Sequence, residues 1–433
     1  MAIKTILAHF FAFGIGKEIL SSLHPLYGNA SLGYYFIEAE VGSSRQRQSL
    51  IVDTGSYSTV FGCQECKLCG SHKDPIFDPR NSSLFERVAS GEQRAGWRCI
   101  TSVATNLTSD CQFNQAYLEG SSYSGFYAQD QFLFENETVS EDEASKFTHI
   151  FGCATHETNH FFSQPANGII GLGVRRFQQY NPPTIIELAF AQGRAKSLGF
   201  SLCLGLNGGH LRLGAPIPEL HLQGTIGRTI ESHLRWDDIF SVELSKIAID
   251  NAPVKYNYNP LRENPGKVFF DSGTTFTYFS HELFAQWKLV FDQFCRLKDS
   301  HCAGYTEFSQ CYDFESKNLT IEDALRTFPN QTFTFNDDLV YTWHAQDYFI
   351  FSGSANCIGI KPLKDLILGA NFMRNYDLFF NIEEQTVSFA RANCSGDHSI
   401  WSEAPRETSF RFLLSELKLS IFVAIFLAIR LIL

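Results

Sequence analysis

Short apolar runs separated by Gly, Asn, Pro and Ser make up most of the chain. Runs of this kind, rich in β-branched and aromatic residues and bounded by turn formers, are typical of β-strands. The predicted strands include 34–41, 50–52, 125–134, 211–213, 241–249 and 386–390. Helical spacing of apolar positions is rarer, and the predicted helices are 184–191, 281–294 and 321–327. The pattern predicts a mainly β protein with few short helices.

A two-part signature occurs once in each half of the chain. Residues 50–56 read LIVDTGS and residues 268–274 read VFFDSGT, so each half has an apolar run that ends in Asp-Thr/Ser-Gly-Ser/Thr. Each copy is followed later by two apolar residues and a glycine, at 169–171 and at 367–369. The repetition predicts two lobes related by approximate two-fold symmetry, joined near residues 199–227.

The two aspartates of this signature, Asp53 and Asp271, are candidates for a catalytic pair. An apolar strand that ends in Asp-Thr-Gly holds the carboxylate on a tight turn, where neighbouring hydroxyls can fix its orientation. Two such turns at a symmetry axis bring the carboxyls close, and carboxyls that close share one proton. Such a pair can hydrolyse a peptide with water alone. A single copy is more typical of an ordinary turn or a helix cap; the matched pair favours catalysis.

Composition limits the other possibilities. The chain has 433 residues, 44% of them hydrophobic and only 19% charged, which is enough apolar material for a large core and argues against disorder. Its net charge is −11, and binding to nucleic acid phosphates needs clustered Lys and Arg, so we expect no nucleic acid partner. We expect peptide or protein substrates, no cofactor, no metal and a monomer, because the fold needs no second copy to complete the site.

Twelve cysteines and seven Asn-x-Ser/Thr sequons predict a glycosylated, disulfide-bonded protein of an oxidising compartment. The C-x-x-C-x-x-C run at 63–69 would suggest zinc or an iron–sulfur cluster in a cytosolic protein, whereas here disulfides that hold a surface insertion are favoured. Sequence does not give their connectivity. The disulfide candidates are Cys63, Cys66, Cys69, Cys99, Cys111, Cys295, Cys302, Cys311 and Cys357.

Both ends of the chain carry apolar segments. Residues 1–22 resemble a weak signal peptide, with a buried first strand as the alternative. Residues 412–433 would extend ~33 Å as a helix, long enough for a single transmembrane anchor. A cleaved GPI-anchor tail and a buried amphipathic helix are the alternatives. Between the ends we expect an N-terminal lobe at 33–210 with an insertion at 63–111, a C-terminal lobe at 211–395 and a linker at 396–411.

On the strength of the two signatures, the stretch from about Gly33 to Cys394 resembles the pepsin-like aspartic proteases. The resemblance implies a bilobal β fold in which Asp53 and Asp271 are catalytic. It implies further that Thr54 and Ser272 interlock beneath the pair. Ser56 and Thr274 would support the carboxylates, and Gly55 and Gly273 would form the two turns.

The segment 117–130, YLEGSSYSGFYAQD, resembles the flap of that family, the hairpin that closes over substrate; a plain surface hairpin is the alternative. The resemblance makes Tyr117 the flap tyrosine, with Glu119 and Gly120 in the flap turn. The Trp that supports this tyrosine in pepsin is missing, since residues 57–61 read YSTVF. What holds Tyr117 is therefore an open question at this point.

Within the family, the Cys-rich insertion, the flap sequence and FGC at 151–153 resemble the nepenthesin-type group, and particularly the plasmepsin V-like export proteases. Those enzymes cut secretory proteins after short basic-x-Leu motifs in the early secretory pathway. The resemblance implies that Glu119 binds the basic residue and that Gln164 is a second polar contact. It also implies an endoplasmic reticulum or other early secretory membrane, with the catalytic part in the lumen. A solvated turn residue at Glu119, a broad digestive protease, and a silent pepsin-like binding protein are the alternatives.

The segment 156–160 reads HETNH and matches the H-E-x-x-H signature of zinc peptidases. That signature needs a helix, on which positions four apart share a face. Here a predicted strand at 148–153 precedes it and Pro165 follows soon after, so we predict a loop without zinc.

Overall fold

The computed structural model describes the chain from 23 to 396 with internal gaps. The described ranges are 23–100, 109–117, 119–134, 147–175, 181–223, 227–231, 240–256, 267–297, 302–306, 309–314, 319–335, 339–352 and 355–396. The predicted signal peptide, linker and anchor lie outside these ranges. Within them, no helix is long and apolar enough to cross a membrane.

Strands dominate the described part of the chain. They are β1 (Leu23–Asn29), β2 (Tyr34–Val41), β3 (Gln46–Asp53), β4 (Val60–Gly62), β5 (Glu86–Arg87), β6 (Gln93–Arg94), β7 (Trp97–Arg98), β8 (Gln112–Ala116), β9 (Ser122–Phe134), β10 (Phe147–Glu157), β11 (Gly168–Gly171), β12 (Gly199–Leu204), β13 (Asn207–Leu213), β14 (Arg228–Glu231), β15 (Ser241–Ile249), β16 (Ala252–Pro253), β17 (Lys267–Asp271), β18 (Thr277–Ser280), β19 (Cys311–Tyr312), β20 (Gln331–Phe335), β21 (Val340–Trp343), β22 (Phe349–Ser352), β23 (Ala355–Ile358), β24 (Ile360–Leu363), β25 (Ile367–Gly369), β26 (Tyr376–Asn381) and β27 (Thr386–Arg391).

The helices are short apart from one. They are α1 (His160–Ser163), α2 (Ile185–Ala191), α3 (His281–Arg296), α4 (Ile321–Leu325), α5 (Ala345–Tyr348) and α6 (Ala370–Met373). Three of them begin at side-chain caps that explain their position, because Thr184, Ser280 and Thr320 each accept a hydrogen bond from the backbone of the first turn. The three predicted helices are thus confirmed as α2, α3 and α4.

One sheet joins the two halves of the chain. Fourteen strands form it, and in its order β12 and β13 of the first half lie directly beside β26 and β27 of the second half. A second sheet of eight strands, with β17 and β25 near its centre, belongs to the second half. The fold is mainly β and bilobal, as expected. The expected boundary between residues 210 and 211 falls inside β13, a strand of the shared sheet.

The two-part signature forms the same local structure in both halves. Strand β3 pairs in parallel with β11, with Asp53 opposite Gly171. Strand β17 pairs in parallel with β25, with Asp271 opposite Gly369. Both glycines are required by close packing, because a Cβ at either position would lie within 2.5 Å of backbone atoms in the loop after the aspartate. The internal repetition in the sequence is confirmed as a structural repeat.

All twelve cysteines form disulfides. The pairs are Cys63–Cys153, Cys66–Cys69, Cys99–Cys111, Cys203–Cys394, Cys295–Cys302 and Cys311–Cys357. The nine predicted candidates are all paired, and the prediction missed Cys153, Cys203 and Cys394. The picture of a self-contained surface insertion is also incomplete, because Cys63 is buried and bonded to Cys153 on β10, in the core of the first half.

Candidate active site

Asp53 is the last residue of β3 and its carboxylate is held by the turn that follows. The Gly55 amide donates a hydrogen bond to Oδ1 at 2.8 Å, and the Ser56 hydroxyl donates one to Oδ2 at 2.5 Å. Only 4% of the residue is exposed. Because each oxygen has its own donor, the carboxyl group has a single defined orientation.

Asp271 ends β17 in the same way. The amides of Gly273 and Thr274 donate to Oδ1 at 3.0 and 3.2 Å, and the Thr274 hydroxyl donates to Oδ2 at 2.6 Å. Asp271 is more exposed than Asp53. The two turns are therefore equivalent in hydrogen bonding but differ in their access to water.

Thr54 and Ser272 lock the turns together. The Thr54 amide donates to the Ser272 hydroxyl at 3.0 Å, and the Ser272 amide donates to the Thr54 hydroxyl at 2.9 Å. Each hydroxyl in turn donates to a backbone carbonyl of the opposite half, at Phe270 and Val52. This reciprocal network, fully buried, fixes one half of the site against the other.

The glycines of the two turns show how close the carboxyls lie. A Cβ on Gly55 would lie 2.8 Å from Cγ of Asp271. A Cβ on Gly273 would lie 2.5 Å from Oδ1 of Asp53 and 3.3 Å from Oδ1 of Asp271. Each aspartate thus rests against the glycine of the other turn, and only glycine leaves room for this approach.

The proximity has an electrostatic consequence. Burial and the neighbouring Asp271 charge raise the pKa of the Asp53 carboxyl, although hydrogen bonds from Ser56 and Gly55 oppose the rise. The two carboxyls are also within hydrogen-bonding reach of each other. Two carboxylates this close cannot both ionise readily, so the pair retains one proton into a pH range where an isolated aspartate has lost its own.

Tyr117 lies beside this pair and rests on aromatic neighbours. Its ring meets Phe161 edge-on at a centroid distance of 4.8 Å, and Phe161 stacks on Tyr123 at 4.1 Å. Burial raises the pKa of the Tyr117 hydroxyl well above its usual range, and the Asp53 charge adds to the rise. The hydroxyl lies on the side of Ser56 and has no hydrogen-bond partner of good geometry among the described residues. Phe161 on α1 is therefore the support that the sequence left open.

The flap turn is tied to the segment that precedes α1. The Tyr117 amide donates to the Ser121 carbonyl at 2.9 Å, which closes a turn with Glu119 and Gly120 exposed at its tip. Gly120 has φ of +89°, a conformation that favours glycine. The Asn159 side chain donates to the Gly120 carbonyl at 2.7 Å, and the His160 amide donates to the Ser121 hydroxyl at 3.1 Å. Sequence analysis found no role for Asn159, whose backbone, with φ of 50° and ψ of −119°, is in a conformation more typical of glycine.

Gln164 has internal partners. The residue is 8% exposed, its side-chain Nε2 lies 3.4 Å from the Tyr123 hydroxyl, and its backbone carbonyl lies 3.0 Å from Nδ1 of His72. Its role as a substrate contact stays a prediction, and the observed partners place the side chain under the base of the flap.

The H-E-x-x-H segment does not form the helix that its zinc-binding signature needs. His156 lies on β10 rather than in the predicted loop, and His160 begins the four-residue helix α1. Side chains alternate along a strand, so His156 is exposed while Glu157 is buried on the opposite face. The predicted loop was wrong for His156, because β10 extends to Glu157 through pairing with β9.

Comparisons with known proteins agree with this geometry. A family model described as the xylanase inhibitor N-terminal domain matches residues 35–215, and one described as the xylanase inhibitor C-terminal domain matches residues 240–391. Plasmepsin V of Plasmodium falciparum is 23% identical over 88% of this chain and 74% of its own length. Aspartic protease 5 of Toxoplasma gondii is 26% identical over 85% of this chain and 37% of its own length. Nepenthesin-2 of Nepenthes gracilis is 25% identical over 86% of this chain and 80% of its own length.

The two family models thus match both halves of the chain. The unmatched stretch between them comes after β12 and β13, the strands of the first half that lie beside those of the second half. The Toxoplasma gondii and Nepenthes gracilis relatives are named as aspartic proteases, and both signature aspartates are present here in equivalent turns. The chain belongs to the pepsin-like aspartic proteases, together with nepenthesin and plasmepsin V, and is an aspartic-type endopeptidase.

Proposed function

We propose that Asp53 and Asp271 are the catalytic dyad of a membrane-anchored endopeptidase that processes proteins of the secretory pathway. The observation that carries the proposal is the pair of equivalent turns, in which each carboxyl group rests against the glycine of the other turn. Ser56 and Thr274 each donate a hydrogen bond to Oδ2 of their own aspartate and so fix the orientation of the two carboxyl groups.

The different environments of Asp53 and Asp271 suggest different roles in acid–base catalysis. Asp53, the more buried group with the raised pKa, holds the shared proton, while the more exposed Asp271 is the carboxylate. Asp271 takes a proton from a water molecule as the water oxygen attacks the peptide carbonyl carbon, and Asp53 gives its proton to the carbonyl oxygen. Asp271 then gives the proton it took from water to the amide nitrogen, and one hydroxyl of the tetrahedral intermediate returns its proton to Asp53 as the carbon–nitrogen bond breaks, which releases the acid and the amine and restores the starting state of the dyad.

We propose Glu119 as the group that selects a basic residue in substrates. It is exposed at the tip of the flap, and its charge lies close enough to influence the hydroxyls of Tyr117 and Tyr123. A carboxylate in a cleft covered by a flap suits arginine, which it can bind through two parallel hydrogen bonds. With the likeness to plasmepsin V, this supports cleavage after short basic-x-Leu motifs.

The proposed compartment rests on the disulfides. All twelve cysteines are paired, and disulfides persist in the oxidising secretory lumen rather than in the cytosol. The signal peptide at 1–22, the lobes at 33–210 and 211–395, the linker at 396–411, the anchor at 412–433 and the glycans belong to the same proposal. Extraction of membranes with alkaline carbonate, followed by glycosidase digestion, tests it: a soluble, unglycosylated protein would contradict it.

Peptide cleavage tests the specificity. The full-length enzyme in detergent is given paired peptides that differ only in Arg or Ala at the third residue before the cut site, in an Arg-x-Leu context, with Glu119→Gln as the variant. We expect kcat/KM for the Arg peptide to fall by roughly 10–100-fold in the variant, the loss of one charge-assisted contact, with the Ala peptide unchanged. An equal fall in kcat/KM for both peptides, or no fall for either, would mean that Glu119 does not select the basic residue. Asp53→Ala is tested as a separate variant. Loss of cleavage of both peptides in that variant would confirm the catalytic role of Asp53 whatever the result for Glu119→Gln.

A further inference from the structure

Asn159, the residue before α1, has a backbone conformation that strains any residue with a Cβ. Its φ of 50° and ψ of −119° lie outside the allowed left-handed helical region and are typical of glycine in a tight turn. Strain of this kind is concentrated at active sites and ligand clamps. The residue is exposed, so core packing does not account for an asparagine at this position.

The Asn159 side chain bonds to the flap instead of capping its own helix. At an N-cap, an asparagine side chain normally accepts a hydrogen bond from the first turn of the helix. Within α1, all of which the structure describes, Asn159 makes no such bond. Its Nδ2 instead donates to the Gly120 carbonyl at 2.7 Å. A glycine would relieve the strain but could not make this bond, so the bond is what asparagine adds at this position.

The Asn159–Gly120 bond extends a row of hydrogen bonds that joins the flap to the segment before α1. Behind the flap turn, the Ser122 amide donates to the Thr158 hydroxyl at 2.9 Å, and the Thr158 amide donates to the Ser122 carbonyl at 3.1 Å. Asn159 continues the row to the tip, where Gly120 follows Glu119. The Asn159 side chain therefore restrains the part of the flap that carries Glu119.

We propose that Asn159 is a positioning residue that holds the tip of the flap, and with it Glu119, in the geometry that binds substrate. The effect on Glu119 rests on the function proposed for that residue, whereas the restraint on the tip does not. A tip that is ordered before substrate binds loses less conformational freedom on binding. Because the flap covers the substrate in both the Michaelis complex and the transition state, the bond lowers KM and leaves kcat nearly unchanged.

Asn159→Gly tests the restraint in the full-length enzyme in detergent, because glycine adopts this backbone conformation without strain. The Tm should stay within about 2–4 °C of that of the natural protein, since the strain that is relieved opposes the greater freedom of glycine in the unfolded chain. KM for the Ala peptide should rise by roughly 2–10-fold, the loss of one hydrogen bond, with kcat nearly unchanged. An unchanged KM, or a fall in kcat alone, would overturn the proposal.

Asn251→Gly is the matched control. Asn251 is also exposed and has φ of 68°, but it lies in the turn between β15 and β16 of the second half. The variant should leave KM for both peptides unchanged. The same rise in KM in both variants would mean that an added glycine loosens the fold in general, and it would contradict the proposal.

Asn159→Asp adds a pH signature that a purely structural role would not give. The aspartic acid has nearly the shape of asparagine, and its protonated carboxyl can donate to the Gly120 carbonyl, whereas the carboxylate can only accept. The Kd of an uncleavable Ala peptide, relative to that of the natural protein, should therefore be near one well below the ordinary aspartate pKa of about 3.9 and should rise as pH increases through it. A ratio that is constant between about pH 3 and 7 would overturn the proposal.

The combination of Asn159→Gly with Glu119→Gln separates the restraint from the proposed role of Glu119. If Asn159 positions Glu119, Asn159→Gly raises KM more for the Arg peptide than for the Ala peptide, and this excess disappears in the double variant. If Glu119→Gln alone does not alter the preference for Arg, the proposed specificity fails, while a raised KM for the Ala peptide still supports the restraint. Equal rises for both peptides, in an enzyme whose Arg preference depends on Glu119, would remove Asn159 from the positioning of Glu119.

Discussion

Nε2 of His72 lies 2.9 Å from Oε2 of Glu157, and both side chains are buried. Nδ1 of the same ring lies 3.0 Å from the Gln164 carbonyl. Both ring nitrogens face acceptors, so His72 is best accommodated as the doubly protonated cation. Glu157 is opposite Tyr123 in the β9–β10 ladder, and the Gly70 amide donates to its carboxylate at 3.0 Å. The ion pair therefore connects the Cys-rich insertion to the base of the flap.

The ion pair predicts a pH dependence of stability. Burial lowers the pKa of His72, but Glu157 and the carbonyls of Gln164 and Ala166 outweigh this and raise it above its usual value. A raised histidine pKa contributes stability that is fully present below about pH 6.5, the ordinary value, and is lost as pH rises through the folded-state pKa. Denaturant unfolding at a series of pH values measures this. His72→Leu should cost about 3–5 kcal/mol at acidic pH and less at alkaline pH.

The matched control for that series is His72→Leu combined with Glu157→Leu, which removes both charges. It should recover much of the lost stability, because replacing a whole buried pair is less costly than breaking it. A difference between the natural protein and His72→Leu that does not change with pH would show that the pKa of His72 is the same in the folded and unfolded chain, and a difference that shrinks at acidic pH would show that the histidine is neutral in the fold.

The two glycines of the dyad turns should not tolerate alanine. Gly55→Ala would place a methyl group 2.8 Å from Cγ of Asp271, and Gly273→Ala would place one 2.5 Å from Oδ1 of Asp53. A displacement of about 1 Å at the dyad lowers kcat by roughly 100-fold. Gly227→Ala is the control, since no atom of the described residues lies within 4 Å of the added methyl group. Steady-state kinetics that left kcat of Gly55→Ala unchanged would mean that the turns are looser than described.

The Thr54–Ser272 network should be worth a measurable coupling energy. Thr54→Val keeps the shape but leaves the Ser272 amide without its acceptor, at a cost of about 1–3 kcal/mol. A double-mutant cycle with Ser272→Ala, followed by denaturant unfolding, should show non-additivity. Thr229→Val is the control, because its hydroxyl pairs with Ser388 at the surface. Strict additivity would indicate that the two hydroxyls act independently.

The disulfides of the insertion should differ in their effect on stability. Cys63 and Cys153 are 90 residues apart and Cys66 and Cys69 only 3, so the first bond restricts the unfolded chain far more. The chain-entropy relation gives ~4.6 kcal/mol for the long loop and ~2 kcal/mol for the short one. Removing each pair by double Cys→Ser substitution and comparing Tm tests the order. A larger fall in Tm on removal of Cys66–Cys69 would mean that this disulfide acts mainly by stabilising the folded state rather than by restricting the unfolded chain.

The site residues that lie together in short segments could be predicted from the sequence. Asp53, Asp271 and their glycines stand in turns whose residues are adjacent in the chain, and the two repeats revealed their symmetry. The strands 34–41 and 241–249 were likewise predicted with the observed bounds. Local pattern is sufficient where a motif's contacts are local.

Contacts between distant segments were not predictable. The bond from Cys63 to Cys153, the packing of Tyr117 on Phe161 and the hydrogen bond from Asn159 to Gly120 each depend on segments that are far apart in the chain. Composition did not distinguish Phe161 from the other phenylalanines, since the chain has 41. Only the three-dimensional arrangement shows that Phe161 packs against Tyr117.

The central claim, that Asp53 and Asp271 act as one catalytic unit, is tested most directly by single-turnover cleavage of a peptide by Asp53→Asn, Asp271→Asn and the double variant. Asp250→Asn, an exposed position at which the left-handed φ of 44° suits asparagine, is the control. Residues that act as a unit are not additive, so each single variant should be as inactive as the double, with a rate at least about 10⁴-fold below that of the natural protein. Cleavage that persists in the double variant would contradict the account.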